Sequence, residues 1–314
     1  MRNLVPVVME KCFMIEKIMS ASEHGMIMRD YLKKEIRISR RALSAIKYKG
    51  GKLLVDGQER SVRHVLQEGE KLQIIFPPET PSAFLAENEL PLDLVYEDDV
   101  VLIVNKPAGI PVIPSQLYPS GTLANGLLYY FHAQHLASTV HIINRLDRNT
   151  SGLMLVAKNR FSHERFFKMQ KKRDIHRRYL ACVQGTIDQD QGVIDAPIGR
   201  KEGSAIERCV DWREGRRAIT HYKVLQRSAD WTLVAVRLQT GRTHQIRVHF
   251  ASIGHPLLGD DLYGGPLTLI NRQALHSFEV SFMHPFTGER MHVHQQCPED
   301  MLHLMHEPVN LEKI

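Results

Sequence analysis

Apolar positions recur along this chain in two distinct regimes, and the change between them divides it. Within residues 26–36, Ile27, Tyr31 with Leu32, and Ile36 return at near-helical spacing, with Arg29, Lys33 and Lys34 between them. Ser39 stands where an N-cap is needed for a second helix over 40–49, and Gly50-Gly51 supplies a stop. That helix shows Arg40, Arg41, Lys47 and Lys49 around an apolar stripe of Leu43 and Ile46. Leu53-Leu54-Val55, an Asp56-Gly57 turn, a polar return and a closing strand over 72–76 then predict a small β unit. Upstream the pattern is weak, and residues 9–19 fit either a short helix or a strand.

Pro77, Pro78, Pro81 and Pro91 interrupt the pattern, and residues 81–92 read as a semi-rigid tether. Beyond it the apolar runs lengthen. Residues 100–104 predict a buried strand ending at the turn Lys106-Pro107-Ala108-Gly109. Thr122 can cap an amphipathic helix reaching about 136, with Leu123, Leu127, Leu128 and Phe131 on its apolar side. Further strands are expected at 152–156, 179–183, 220–225, 232–238, 278–282 and 291–294, and helices at 161–173 and 242–253. Strands and helices mixed without regular βαβ alternation favour an α+β domain with a largely antiparallel sheet, preceded by a small α/β module. The expected division is 1–80, the tether 81–92, and a main domain 93–314.

Charge sharpens this division. Residues 25–78 hold 12 Lys and Arg against 6 Asp and Glu, and the remainder is balanced at 29 against 29, so the module carries the whole net charge of +6. A basic module joined to a neutral domain is the footprint of a protein that holds a polyanion at one end, although a solvated basic face has the same composition. The stretch 158–178 adds nine basic residues against two acids, a surface suited to countering phosphates. Cys12, Cys182, Cys209 and Cys297 lie far apart and read as free thiols in a reducing compartment. With no apolar run near the length of a membrane span and no signal-peptide core, the expected location is cytoplasmic, with no membrane partner.

The usual nucleotide and hydrolase signatures are missing: no GxGxxG after a strand, no phosphate loop, no HExxH and no GxSxG. His292 and His294 form an HxH on a predicted strand, but no third ligand is evident, so no metal is expected. The stretch that remains is 144–156, NRLDRNTSGLMLV. It sets Asp147 between Arg145 and Arg148 on a turn-forming segment anchored by a core strand. A neighbouring guanidinium favours the ionised carboxylate, which suits nucleophilic or proton-transfer work. The same residues also describe an ordinary ion pair pinning a loop.

Four stretches in order decide between these readings: NKPAGIPV (105–112), NRLDRNTSGLMLVAKN (144–159), RRYLACVQG (177–185) and LQTGRTHQIRVHFASIGHPLLGDDLYGG (238–265). Together they resemble the RluA-type pseudouridine synthases, over about residues 93–298. Residues 26–76, through SRRALSAIKYKGG, LVDG and EGEKLQI, resemble the small S-four-type RNA-binding module that often accompanies the branch acting on large-subunit ribosomal RNA.

The resemblance implies the pseudouridine synthase fold and isomerisation of uridine in structured RNA, ribosomal or transfer RNA, without metal or cofactor. Asp147 would be the essential aspartate, acting through a covalent adduct or a glycal-like intermediate. Tyr179 matches the tyrosine that packs against the base and is a candidate for removing the carbon-five proton. Arg247 matches the basic partner of the aspartate, and Arg145 the arginine that enters the helix as the nucleotide flips. Arg148, Arg242, Arg40, Arg41 and Lys47 complete the expected RNA contacts, and nothing demands more than a monomer. Asn144 and Ile113 stand where the family commonly has His, and Asn149 where Asp is common. The rivals are a catalytically inactive RNA-binding or ribosome assembly factor on the same fold, and a metal-dependent nuclease using the histidines.

Overall fold

The computed structural model describes residues 11–305. The first part contains β1 (Met14–Ile18), α1 (Met28–Lys34), α2 (Arg40–Tyr48), β2 (Lys52–Val55), β3 (Gln58–Glu59) and β4 (Lys71–Ile75). Its strands form an antiparallel sheet in the order β1-β4-β2-β3. Alternation in β2 and β4 turns Leu53, Val55, Leu72 and Ile74 inward against Met28, Tyr31, Leu32 and Ile46 of the helices. Ser39 caps α2, its Oγ accepting from the Ala42 N–H at 3.2 Å. Of the ambiguous stretch 9–19, the described part contains the strand β1; Met9 and Glu10 lie outside the described residues.

The second part contains β5 (Asp93–Glu97), β6 (Val101–Lys106), α3 (Leu123–Ala133), β7 (His141–Ile142), β8 (Ser151–Ala157), α4 (Arg160–Lys172), β9 (Ile175–Gln184) and β10 (Gln191–Asp195). The chain continues through β11 (Ile198–Arg200), β12 (Arg208–Val210), β13 (Ile219–Arg227), β14 (Trp231–Leu238) and α5 (Gln245–Ser252). It ends in β15 (Leu275–Met283), β16 (Arg290–His294) and α6 (Glu299–Leu302). Ten strands form one sheet in the order β10-β13-β14-β9-β15-β8-β6-β5, with β16 beside β15 and β7 beside β8. Every pairing in it is antiparallel except β15 with β8. This is an α+β fold on a largely antiparallel sheet, with the short hairpin β11–β12 outside it. Leu127 and Phe131 of α3 and Ile246 and Phe250 of α5 share one core with Leu102, Val104, Met154, Val156 and Tyr179. On the opposite face Phe166 of α4 packs with Ile103, Leu155 and Phe282.

Two helices are shorter than their periodicity predicts. α3 stops at Ala133 because His135 adopts a left-handed conformation, φ 59°. α5 starts at Gln245 rather than 242. The Gln245 Oε1 accepts from the Thr240 hydroxyl and the Arg242 N–H, folding 240–243 into a loop. Residues 81–92 carry no regular structure, but they are not a free tether. Asn125 on α3 donates to the Ala86 carbonyl at 2.6 Å, Asn88 accepts from the Gly121 N–H at 3.0 Å, and Leu90 fills the space beside Gly126.

The first part docks on α4. Phe76 meets Phe161 at 4.8 Å between ring centroids, and Arg165 donates to the Ile36 carbonyl while lying over the Phe286 ring. The strongly basic helix is therefore partly an internal joint, not only a solvated face.

The parallel contact of β15 with β8 is unusually close. A Cβ on Gly152, at φ 114°, would lie 2.3 Å from the Ser277 carbonyl oxygen, so only glycine fits. Beside it His276, almost fully buried, accepts from the Ser151 hydroxyl at Nδ1 (2.9 Å) and donates from Nε2 to the Gln295 carbonyl. Burial pushes this imidazole down to about 4. A histidine held neutral in the fold but free to protonate when unfolded contributes stability above pH ~6.5 that is lost as pH falls toward 4. Urea unfolding should therefore show about 3 kcal/mol lost across that interval. His276→Gln, which cannot titrate, should flatten the profile there; an unchanged slope would remove His276 as its origin.

Candidate active site

Asp147 lies on the 144–150 loop between β7 and β8, which is shaped by its own turn and by three neighbouring segments. Asn144, in the position where a histidine is common, is buried and accepts the Leu155 N–H at 2.8 Å, tying the loop to its own strand. The Thr150 N–H closes a turn on the Asp147 carbonyl at 3.1 Å. Arg272 donates to the Asn149 carbonyl and Gln273 to the Thr150 hydroxyl, both at 3.2 Å. From below, the fully buried Lys106 at the end of β6 donates from Nζ to the carbonyls of Pro107, Ile110 and Arg148 at 2.7, 3.0 and 2.9 Å.

The partner of Asp147 is Arg247 of α5, with Nη1 3.2 Å from Oδ2. The flanking residues Arg145 and Arg148 do not fill that role; both are exposed, and among the described residues neither forms an ion pair with Asp147. Arg148 turns away to lie over the Tyr118 ring and donate to its hydroxyl. The physical reason is reach. Arg148 sits on the turn that Asp147 opens and is drawn to Tyr118, and Arg145 is exposed, whereas α5 presents a guanidinium to the carboxylate.

Arg247 is itself held. Asp260, wholly buried, takes its Nε and Nη2 at 2.7 Å each in a bidentate pair, and the Tyr263 ring lies 4.9 Å from its Cζ. Burial opposes the charge of Arg247, but the carboxylates of Asp260 and Asp147 hold its pKa above the ordinary value. His244, at a left-handed φ of 56° immediately before α5, hydrogen bonds the Tyr263 hydroxyl through Nδ1 at 2.8 Å. Its Nε2 is 3.9 Å from Asp147. Burial lowers the pKa of this imidazole, with Asp147 acting in the opposite sense.

These groups open onto a cavity of about 710 Å³, within the range of sites that enclose a small molecule. Asp147, Arg247 and Tyr179 all line it, with Arg145, Arg148 and Arg242 around it. Tyr179 is buried in β9, while the Asp147 side chain remains 26% exposed. The arrangement offers a carboxylate oriented by a locked guanidinium, an aromatic ring, and a cationic rim. Arg40, Arg41 and Lys47 do not belong to this cluster; they are exposed on α2. Lys106, His244, Asp260 and Tyr263 belong to it although none was a sequence candidate. Each lies inside one of the family-like stretches, and that was their only signal.

The site is a guanidinium-braced aspartate at the mouth of a cavity on a largely antiparallel sheet, and relatives identify the class of protein as an RNA isomerase. The family model described as RNA pseudouridylate synthase matches residues 100–252. The Bacillus subtilis protein named uncharacterized RNA pseudouridine synthase YjbO is 48% identical over 271 residues, spanning 86% of this chain and 95% of that one. The chain belongs to the RNA pseudouridine synthase family, in its RluA-type branch. The protein named ribosomal large subunit pseudouridine synthase D of Pseudomonas aeruginosa is 40% identical over 273 residues, covering 82% of this chain and 84% of that one. Among solved structures, human RNA pseudouridylate synthase domain containing 1 superposes with a TM-score of 0.55 at 27% identity, over 70% of this chain and 87% of that one.

Proposed function

We propose that this chain isomerises specific uridines to pseudouridine in structured RNA, in large-subunit ribosomal RNA before transfer RNA, using Asp147 as the essential carboxylate. The observation that carries this reading is the Asp147–Arg247–Asp260 arrangement opening onto the cavity lined by Tyr179. The named specificity of the large-subunit relatives supports the choice of RNA.

In this reading Arg145 enters the RNA helix as the target nucleotide swings out, and the base settles against Tyr179. The bond from N1 to the sugar breaks, the ring rotates, and a bond from carbon five forms in its place. One proton leaves carbon five, with Tyr179 as the candidate acceptor, and one arrives at N1, so no co-reactant is consumed. Arg247 pairs with the carboxylate throughout, its own orientation fixed by Asp260. Arg148 and Arg242 on the rim meet phosphates.

The first part of the chain, in this reading, is an S-four-type module whose exposed Arg40, Arg41 and Lys47 grip RNA away from the target uridine. The enzyme works as a monomer in the cytoplasm; among the described residues no helix is long and apolar enough to cross a membrane. The inactive assembly-factor alternative is not favoured, because the set of Asp147, Tyr179 and Arg247 is intact. Carbodiimide mapping of pseudouridine in ribosomal and transfer RNA, from cells with and without the protein, tests the reading. One or a few large-subunit positions should vanish with the gene. Loss confined to transfer RNA would overturn the choice of RNA, and identical maps the activity itself.

A further inference from the structure

We propose a second site, a divalent-cation site of the zinc class built from Glu279, His292 and His294 on β15 and β16. The HxH pair lacks a third ligand in sequence, and strand pairing supplies one. In the antiparallel register Glu279 lies opposite His294, and Ser281 opposite His292. Side chains two apart on a strand share a face, so both imidazoles and the carboxylate converge.

The ligand atoms lie close enough for small side-chain rotations to bring them onto one ion. Glu279 Oε1 is 3.4 Å from His292 Nε2, Glu279 Oε2 is 3.9 Å from His294 Nδ1, and one ligand atom from each residue lies within 4.8 Å of the others. A tetrahedral zinc with bonds of ~2.0–2.1 Å places neighbouring ligand atoms about 3.4 Å apart. The separation of 3.9 Å is too long for a hydrogen bond, and His294 Nδ1 is buried without a hydrogen-bond partner. An orphaned buried imidazole nitrogen facing a buried carboxylate is what a cation between them would satisfy.

The surroundings agree. Glu279 is only 4% exposed, and Arg178 donates to its Oε2 at 3.1 Å, an outer hydrogen bond of the kind that orients a ligating carboxylate. His292 is 46% exposed, which leaves a solvent path and an open fourth position for water. Imidazole with carboxylate suits zinc and its first-row neighbours rather than magnesium or calcium. Arg178 and Tyr179 are adjacent on β9 and point to opposite faces of the sheet, so this site lies behind the catalytic cavity. Bound there, a cation would clamp β16 to β15.

The test uses the full chain without a polyhistidine tag, stripped with chelator and titrated with Co2+ and then Zn2+. One equivalent of Co2+ should bind with visible ligand-field bands, Zn2+ should displace it, and Zn2+ should raise the thermal unfolding midpoint. His292→Ala and His294→Ala, checked for folding by circular dichroism, should each weaken binding more than about tenfold and lose the thermal response. Folded chain that takes up no Co2+, or a doubly substituted chain that binds like wild type, would overturn the site. None of these readouts depends on RNA, so they stand apart from the isomerase reading.

Discussion

Asp147→Ala should lower the rate of pseudouridine formation by about 10⁴-fold or more, while affinity for the same RNA changes less than about threefold. A factor of 10⁴ corresponds to about 5 kcal/mol of lost transition-state stabilisation. The fold should tolerate the change for a reason specific to this site. Removing a carboxylate from a buried arginine is ordinarily severe, but Arg247 keeps its bidentate pair with Asp260. RNA affinity should persist because the cationic rim and the α2 arginines, to which the proposed reading assigns the phosphate contacts, remain. Asp147→Asn separates chemistry from architecture. The amide keeps the shape and can still accept from Arg247 Nη1, so a merely structural aspartate would be replaced with little loss. Single-turnover assays on a transcript, with filter binding on the same RNA, should find both variants bound and inactive. Turnover by Asp147→Asn near the wild-type rate would transfer the chemistry to another group.

The strands of the main sheet were legible where they are buried on both faces. β8 is buried at every position and β6 at nearly all, and continuous apolar runs announce such strands. β5, β10 and the hairpin β11–β12 were not read, because partly exposed strands containing Asp93, Gln191 or Arg200 look like loops. Asp147 could be singled out from its neighbours, but its partner could not be derived from them. Arg145 and Arg148 are nearest in sequence, yet the ion pair comes from a residue a hundred positions away that only the family resemblance marked. Asp260 was hidden for the complementary reason. An acidic Asp260-Asp261 pair directly after a glycine reads as turn chemistry, and nothing local says that one of the two is wholly buried against an arginine. Tight packing of that loop is visible only in space: a Cβ on Gly265 would lie 1.8 Å from the Leu257 carbonyl oxygen.

Lys106 was the least legible of all, since a lysine ending an apolar run reads as the strand reaching solvent, and here it is wholly buried. Burial drives its ammonium down to about 7, with Asp147 opposing and Arg272 reinforcing the shift. Three carbonyls nevertheless surround Nζ, and they belong to the two loops that border the cavity. Lys106→Met keeps the length and apolar stem but donates nothing. The carbonyls of Pro107 and Ile110 then lose their Nζ partner, while that of Arg148 retains only the Gly109 N–H. The expected cost is about 3–5 kcal/mol in urea unfolding. Activity should fall further than stability alone requires. Arg148 adjoins Asp147, and an ångström of slack at the carboxylate is enough for about a 10²-fold loss in kcat under conditions where the variant is fully folded. RNA affinity, which the proposed reading assigns to side chains on the rim, should hold. A variant within about 1 kcal/mol of wild type, with kcat unchanged, would mean that the other segments hold the loop without Lys106.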